Sequence, residues 1–543
     1  MQSGTGRDHD RPAWLARIGK AHAPKPMMYG RDQSDPPAVA RKSTNNAGQP
    51  AAESMERRGG AKGKMPSSTT CRVQDRESVS PGLERLRHFV TNTPKARPTA
   101  LLHHLDVDLL RWSYFALKRR AAAGVDGRTW GTYGENLEER LRELHDRVHR
   151  GAYRALPSRR RMIPKPDGSM RPLGIASIED KIVQRAVVEI LNAVYEPEFL
   201  GFSYGFRPGR SQHDALDALW VGISTTAVNW IVDADIRSFF DSVSHEWLVR
   251  FMEHRIGDKR IIRLIRKWLK AGVLEGTMLT TSETGTPQGS VASPLLANIY
   301  LHYCYDLWVQ QWRRRNARGN MIVVRYADDL VAGFEREAEA RAFLDELRTR
   351  FEAFDLAVHP EKTRLVEFGR HAAERRRRRG LGKPETFTFL GFVHICGKSR
   401  SGRFLLWRKS RRDRMRAKLQ SIKINLRHKM HETVGAQARW LRSVVMGYFN
   451  YHAVPTNFAS IAAFRQHVLV IWQRALRRRS QTDRTTLESL GRVAAQWLPL
   501  PKILHPWPTQ RFAVKHPRWE PSAGIPLARI CAGGARRRAS LPL

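Results

Sequence analysis

The sequence predicts an α+β fold, with helices layered over a small antiparallel sheet, followed by an all-α bundle. Three observations carry this. Short β-like runs alternate with helical stretches from Tyr153 to Cys396. Beyond residue 401 only helical spacing remains. Apolar residues make up 41% of the 543, enough for a packed interior. At ~150 residues per unit, the length suggests three or four folding units.

The chain can be followed in order. Residues 1–80 are rich in Gly, Ser, Pro, Lys and Arg and read as a basic, disordered leader. Residues 81–228 come next, helical from about Leu101 to Arg150, where Gly124-Val125-Asp126-Gly127 interrupts as a turn. Ile178 to Tyr195 is a further helix. In 229–396 the expected strands are Asn229 to Ile236, Met321 to Tyr326, Leu330 to Phe334 and Thr386 to Phe392. The expected helices there are Ser244 to Ala271 and Glu337 to Phe354, and the run Arg375 to Arg379 reads as an exposed loop. In 401–480 the strands stop. Met415, Leu419, Ile422 and Leu426 share one helical face. Leu441, Val444, Val445 and Tyr448 share another, and Ile461, Phe464, Val468 and Ile471 a third. Residues 481–543 form a Pro-rich basic tail.

Charge narrows the class of partner. Lys and Arg number 94 against 52 Asp and Glu, a net of +42. That excess points to a polyanion, nucleic acid first and an anionic membrane surface second. Residues 401–543 alone hold 28 Lys and Arg against 5 Asp and Glu, a net of +23. Cys71, Cys304, Cys396 and Cys531 are far apart, which argues against zinc ribbons and disulfide scaffolds and makes a reducing cytosol the default. No apolar run approaches the ~18 residues of a membrane span, and the first residues lack a signal-peptide core.

In so basic a chain the acids are informative. Met321 to Phe334 reads MIVVRYADDLVAGF, two apolar runs flanking Tyr326-Ala327-Asp328-Asp329. This predicts a hairpin with adjacent carboxylates at its tip. Such neighbours repel, so a folded site holding both favours a cation; the alternative is a solvated acidic turn. Trp230 to Val243 reads WIVDADIRSFFDSV. Period-two spacing puts Asp233 and Asp235 on one face. Packed beside the hairpin, an Asp near the strand end completes a site for two Mg²⁺ ions, with Mn²⁺ as a substitute; otherwise Asp233 and Asp235 simply face solvent.

Tyr-Ala-Asp-Asp after an apolar strand, with Asp235 and Phe240 upstream, resembles the palm of reverse transcriptases, and the ordered blocks resemble group II intron reverse transcriptase/maturases. Those blocks are Gly124 to Gly127, Ile163 to Ile175 (IPKPDGSMRPLGI), Tyr204 to Ser211 (YGFRPGRS), Thr286 to Ser290 (TPQGS), the Asp-Asp hairpin, His359 to Thr363, Phe389 to Phe392 (FLGF) and Gly447 to Tyr451 (GYFNY). The likeness runs from about Leu101 to Arg479. It implies a right-hand polymerase: an N-terminal extension and fingers over 81–228, a palm over 229–396, and a thumb/maturase bundle over 401–480.

The resemblance also implies roles. Asp235, Asp328 and Asp329 hold the metals, with the Ile236 carbonyl as a further ligand. Lys165, Arg171 and Gln288 meet the incoming nucleotide. Phe240 excludes a 2′-hydroxyl, and Lys362 protonates the leaving pyrophosphate. Each has a plainer alternative, such as a phosphate contact for Lys165, Arg171 and Lys362 and an ordinary core ring for Phe240. Arg411, Arg412, Arg414, Arg416, Arg477, Arg478 and Arg479 are the expected RNA contacts.

The implied function is RNA-directed DNA synthesis together with binding of a group II intron RNA to assist splicing and mobility. The partners are intron RNA, target DNA, a DNA primer and dNTPs, with neither membrane nor partner protein, in the bacterial cytosol and at the nucleoid. Many members of this family end in a Cys- and His-containing endonuclease domain. Residues 481–543 offer only Cys531, so the tail is read as a DNA-binding remnant without cleavage activity. The competing readings are a retron-type or other bacterial reverse transcriptase and a non-polymerising RNA-binding splicing factor.

Overall fold

The computed structural model describes residues 81–164, 170–276, 278–479 and 485–515. The expected leader, Lys165, and Cys71 and Cys531 lie outside them. Four helices come first: α1 (Pro81–Asn92), α2 (Val107–Ala116), α3 (Trp130–Gly134) and α4 (Leu137–His149). The region expected to be helical from Leu101 to Arg150 is therefore several short helices. Thr129 ends the loop after Gly127 with a capping box on α3.

A hairpin follows, β1 (Ser158–Pro164) and β2 (Met170–Ile175), then α5 (Ile178–Tyr195). Fourteen of the residues of α5 are buried, so it is apolar on nearly every side and serves as the pillar of the N-terminal half. Its buried Asp180 accepts bonds from Tyr153, Ser177 and the Leu156 amide, which pins the approach to β1.

The segment between α5 and α6 (Gln212–Thr225) is a scaffold. Arg207 is buried, pairs with Glu196 at 2.7 Å and bonds the carbonyls of Leu200 and Ser203. Ser211 and Asp214 form a capping box that starts α6.

The central sheet is built from β3 (Trp230–Asp235), β6 (Met321–Tyr326), β7 (Asp329–Phe334) and β8 (Arg364–Glu367), in the order β6-β7-β3-β8 and antiparallel throughout. Both faces are covered. Val232, Ala234, Leu330 and Ala332 join one core cluster, and Ile231, Ile322, Val331 and Val366 join another. On β3 the aspartate face carries Ile231, Asp233 and Asp235, so it is apolar only at the Ile231 end.

Between β3 and β6 lie α7 (Phe239–Ser242), α8 (His245–Arg255), α9 (Lys259–Lys270), a short hairpin of β4 (Val273–Glu275) and β5 (Met278–Thr280), α10 (Ser293–Leu301) and α11 (Leu307–Arg315). The hairpin extends the first sheet to β2-β1-β4-β5. The single helix expected from Ser244 to Ala271 breaks at Ile256–Asp258. Buried Asp258 caps α9 at the Arg260 amide and also accepts from the amides of Leu101 and Leu102.

After α12 (Glu337–Glu352) and β8, three more expectations change. Arg375 to Arg379 lies on and just beyond a helix, α13 (Ala372–Arg378), because buried Glu367 neutralises part of the run. The strand expected from Thr386 to Phe392 is split by a turn at Leu390 (φ +46°) and Gly391 (φ +80°) into β9 (Phe387–Phe389) and β10 (Phe392–Lys398). Strands also continue past residue 401: β11 (Phe404–Ser410) completes a sheet in the order β11-β10-β9.

The C-terminal helices are α14 (Arg412–His428), α15 (Val434–His452) and α16 (Phe458–Arg477). Their cores follow the expected faces, with Ile422, Leu426, Leu441, Val445, Phe464, Val468 and Trp472 buried together. Residues 485–515, expected as tail, carry α17 (Leu487–Trp497) and α18 (Pro508–Lys515). The first adds Leu490 and Ala494 to the bundle core. The second packs on α6, where Asp217 takes both Arg511 and Arg408 at 2.9 Å. Among the described residues, no helix is long and apolar enough to cross a membrane.

Candidate active site

The β6–β7 hairpin turns in two residues, Ala327 and Asp328, with Ala327 in the left-handed region at φ +55°. That strained tip is held from beneath. Phe202 and Tyr204 bond the backbone of Arg325 at 2.8 and 2.9 Å. A Cβ on Gly205 would overlap the Ala327 amide, so only glycine lets the two backbones meet. The Arg325 side chain is fully buried and grips Asp306 bidentately at 2.7 and 2.6 Å. It also donates to Asn298 Oδ1 at 3.0 Å and to the Ala327 carbonyl at 3.3 Å. Asn298 in turn donates to the Gly205 carbonyl at 2.7 Å.

Sequence reasoning missed Arg325, Asp306 and Asn298. The available signal was a lone arginine inside an apolar strand, which has to find a buried anion. Asp306 reaches it from a π-helical turn, His302–Asp306, that register analysis does not foresee.

Antiparallel register sets Asp235 directly opposite Asp329, so their side chains share a face, and Asp328 stands beside them at the tip. Protein surrounds Asp329 densely although solvent reaches it. Desolvation and the neighbouring carboxylates of Asp328 and Asp235 push its pKa up to about 7, against a downward pull from Arg414. Asp328 is raised too, chiefly by burial and then by Asp235, while Arg171 and Lys362 lower it. Burial lifts Asp233 to about 6, with Arg364 at 3.6 Å opposing. Lys362 Nζ lies 2.8 Å from Asp235 Oδ2. Among the described residues, no three His, Cys, Asp or Glu side chains converge closely enough to hold a metal ion.

The other predicted residues surround this centre unevenly. Phe239 enters the core, whereas Phe240 is only partly buried, its ring 5.5 Å from that of Phe239. The Thr286–Ser290 loop is tied at both ends. The Thr286 amide donates to the Phe240 carbonyl at 2.7 Å, and the Gly174 amide donates to the Gln288 carbonyl at 2.7 Å. The loop therefore spans from α7 to the edge of β2, the strand that carries Arg171. Ile236 is buried and bridges to Val358.

The reverse transcriptase (RNA-dependent DNA polymerase) family model matches residues 163–394. Protein YkfC of Escherichia coli is 33% identical over 309 residues, which cover 51% of this chain and 77% of YkfC. Group II intron-encoded protein LtrA of Lactococcus lactis is 42% identical over 196 residues, 36% of this chain and 32% of LtrA. The chain belongs to the group II intron reverse transcriptase/maturase family. An uncharacterized 91 kDa protein in the cob intron of Schizosaccharomyces pombe is 29% identical over 378 residues. The match covers 57% of this chain and 45% of that protein, so the chain spans under half of two of these three relatives.

The segment Gly447 to Tyr451 has a structural task here. Tyr451 donates to the Leu390 carbonyl at 2.7 Å, and the Arg411 amide donates to the Gly391 carbonyl at 3.1 Å. The Arg414 guanidinium lies over Gly391, 3.1 Å from where a Cβ would stand. Helices α14 and α15 thus clamp the β9–β10 turn and carry Arg414 toward the carboxylates. The predicted RNA contacts are consequently not equivalent. Arg411 pairs with Asp413 at 3.0 Å. Arg477 donates to the Thr485 carbonyl at 2.8 Å, and Arg479 to that of Glu432. Arg412, Arg416 and Arg478 are exposed.

Proposed function

We propose that this chain is an RNA-directed DNA polymerase that also binds a group II intron RNA and assists its splicing and mobility. The observation that carries the reading is Asp235 facing Asp329 with Asp328 at the adjacent tip, in a chain of this family. The layout is that of a right hand: fingers from the first sheet, palm from the central sheet and thumb from α14 to α16. The working compartment is the bacterial cytosol.

The chemistry of the donor set, three neighbouring carboxylates, suits a divalent cation, although the three are not drawn together as tightly as ligands around an ion. Burial and mutual repulsion raise the proton affinity of Asp328 and Asp329, and a cation between them relieves both penalties. Asp235, Asp328 and Asp329, with the Ile236 carbonyl, would hold Mg²⁺, or Mn²⁺ in its place. When bound, the metal supplies Lewis-acid stabilisation of the attacking hydroxyl and the leaving pyrophosphate.

The chain's own groups do the rest. Arg171, close enough to act on Asp328, contacts the triphosphate by charge-assisted bonds together with Lys165. The loop tie to Phe240 and β2 supports a role for Gln288 at the nucleotide. Phe240, not spent in the core as Phe239 is, presents its ring to the sugar and excludes a 2′-hydroxyl. Lys362, which pairs with Asp235 at 2.8 Å, would protonate the leaving pyrophosphate.

The test is extension of a DNA primer on an RNA template by the purified protein. Synthesis should require dNTPs and a divalent cation and stop on chelation. Binding of a labelled group II intron RNA is measured in parallel. Absence of extension with tight RNA binding would favour the non-polymerising splicing factor instead.

A further inference from the structure

The central sheet has two ends, and only one carries Asp235, Asp328 and Asp329. At the other end β8 stops at Glu367, which pairs in register with Trp230. Asp235 lies five residues further along β3, ~16 Å away at ~3.3 Å per residue. Here α13 packs down. Glu367 is only 4% exposed, and it accepts from Arg375 Nε at 2.9 Å and from Arg379, with Arg376 at 3.9 Å. Arg375 also donates to Asn229 Oδ1 at 2.8 Å, and Arg376 to Glu385 at 3.3 Å. Three arginines of the five-residue run therefore fasten the helix to the sheet.

The remaining charge faces outward. Arg377, Arg378 and Lys383 are exposed, and Arg378 meets Glu374 of its own helix, an exposed pair of little strength. Between Arg370 and Lys383 there are seven Lys and Arg and one acid. Fixing a helix by part of an arginine run while leaving the rest in solvent concentrates like charge on a rigid surface. A polyanion relieves that repulsion and gains from releasing its counterions.

We propose that α13 and the loop to Lys383 form a second nucleic-acid surface that binds the phosphate backbone of duplex RNA, apart from the template–primer cleft. The proposal rests on the reading that the protein binds intron RNA. The helix, AAERRRR, has no aromatic side chain to stack on a base, which suits phosphate contact rather than base readout. It also lacks the large apolar face that an anionic bilayer would require. A-form duplex is recognised in this way, by shape and backbone.

The test uses the full chain saturated with a chain-terminated primer–template, so that the cleft is filled. Binding of a labelled RNA hairpin duplex is then titrated against salt. The variant carries Arg377→Glu, Arg378→Glu and Lys383→Glu, which leaves Arg375, Arg376 and Arg379 in place. Loss of two or three phosphate contacts should lower the salt slope by about 2–3 and weaken the duplex roughly tenfold or more. Primer–template affinity and extension rate should stay within twofold.

An unchanged duplex affinity overturns the proposal. So does an equal loss of primer–template affinity, which would assign the patch to the cleft. Equal, equally charge-sensitive binding of a DNA duplex of the same sequence overturns the choice of RNA. Extension of an unblocked primer by the unmutated protein, read in parallel samples, tests the polymerase reading separately. An Ala triple at the same positions checks the result if the Glu variant melts early.

Discussion

In the hairpin that carries Asp328, Arg325 is fully buried and each nitrogen of its guanidinium meets an acceptor, on Asp306, Asn298 or the hairpin's own Ala327 carbonyl. In α14, by contrast, Arg412 and Arg416 stand in solvent on a helix whose other face is core. The same residue type fixes geometry in one place and supplies a field in the other. A buried pair holds its value only while both partners remain. An exposed cation acts at a distance, through salt-sensitive attraction. The proposed polymerase centre and the proposed RNA-binding bundle should therefore fail independently and in different ways.

The largest expected effect breaks the catalytic side alone. Asp328→Ala should reduce DNA synthesis by roughly three orders of magnitude or more, on the scale of losing an electrostatic stabiliser of the transition state. Intron binding and protein-assisted splicing should be retained, since α14 to α16 are untouched. Splicing of the cognate intron at low Mg²⁺, read beside primer extension, checks both. Loss of splicing by a folded Asp328→Ala protein would show that the two regions do not separate.

Next comes the brace. Arg325→Met leaves Asp306 buried without its partner, and breaking a buried pair costs about 3–5 kcal/mol. Urea unfolding should show that loss. Asp306→Asn combined with Arg325→Met should recover part of it, because the orphaned charge is gone. A wild-type midpoint for Arg325→Met would mean that the hairpin is held by its backbone contacts alone.

Much of this was legible in the sequence, for identifiable reasons. Ile178–Tyr195 and Met321–Tyr326 end where expected because long periodic runs and apolar strands are decided locally. The breaks were not legible, because each rests on a distant partner. Asp258 divides the helix after Ser244 by capping α9 while also bonding Leu101 and Leu102. Glu367 turns an arginine run from solvated loop to helix. Strand β11 closes a local hairpin with β10 and was still missed, because its Arg408 has the look of surface charge and is instead buried on Asp217, far away in the sequence. At the site, Asp235 could be placed on a strand and Asp329 at a hairpin tip, but the register that sets them opposite each other could not. Nor could the sequence choose Phe240 over Phe239 by structure, which turns on which ring the core takes.

On the RNA side the effect should be graded. Arg412→Glu with Arg416→Glu should weaken intron binding about tenfold or more near physiological salt and flatten the salt slope by about two. Extension on a short template should change little. Equal losses in both assays would mean that α14 serves the primer–template as much as the intron.

A smaller change is one of selectivity. Phe240→Val should raise use of rNTPs relative to dNTPs by about tenfold, the scale of removing one steric contact. The ratio of kcat/KM values for the two sugars is the readout. An unchanged ratio in an active variant would return Phe240 to the core packing that its partial burial also permits.

The smallest effect concerns protons. In metal-free protein the Asp329 carboxyl titrates at about 7, raised from the ordinary carboxylate range. The folded state then binds more protons than the unfolded state between about pH 4 and 7. Stability from this group is fully present below about pH 4 and is lost as pH rises through about 7. The melting temperature without metal should therefore fall across that interval by more than it does in Asp329→Asn, which cannot titrate. Because solvent reaches this carboxylate, the difference should be no more than a few degrees. Saturating Mg²⁺ should remove it, since a cation takes over from the proton in offsetting the repulsion among Asp235, Asp328 and Asp329. A pH dependence identical in the two proteins, or one that persists unchanged in Mg²⁺, would mean that these carboxylates do not share a field, and the contrast between a coupled centre and an independent basic surface would lose its electrostatic basis.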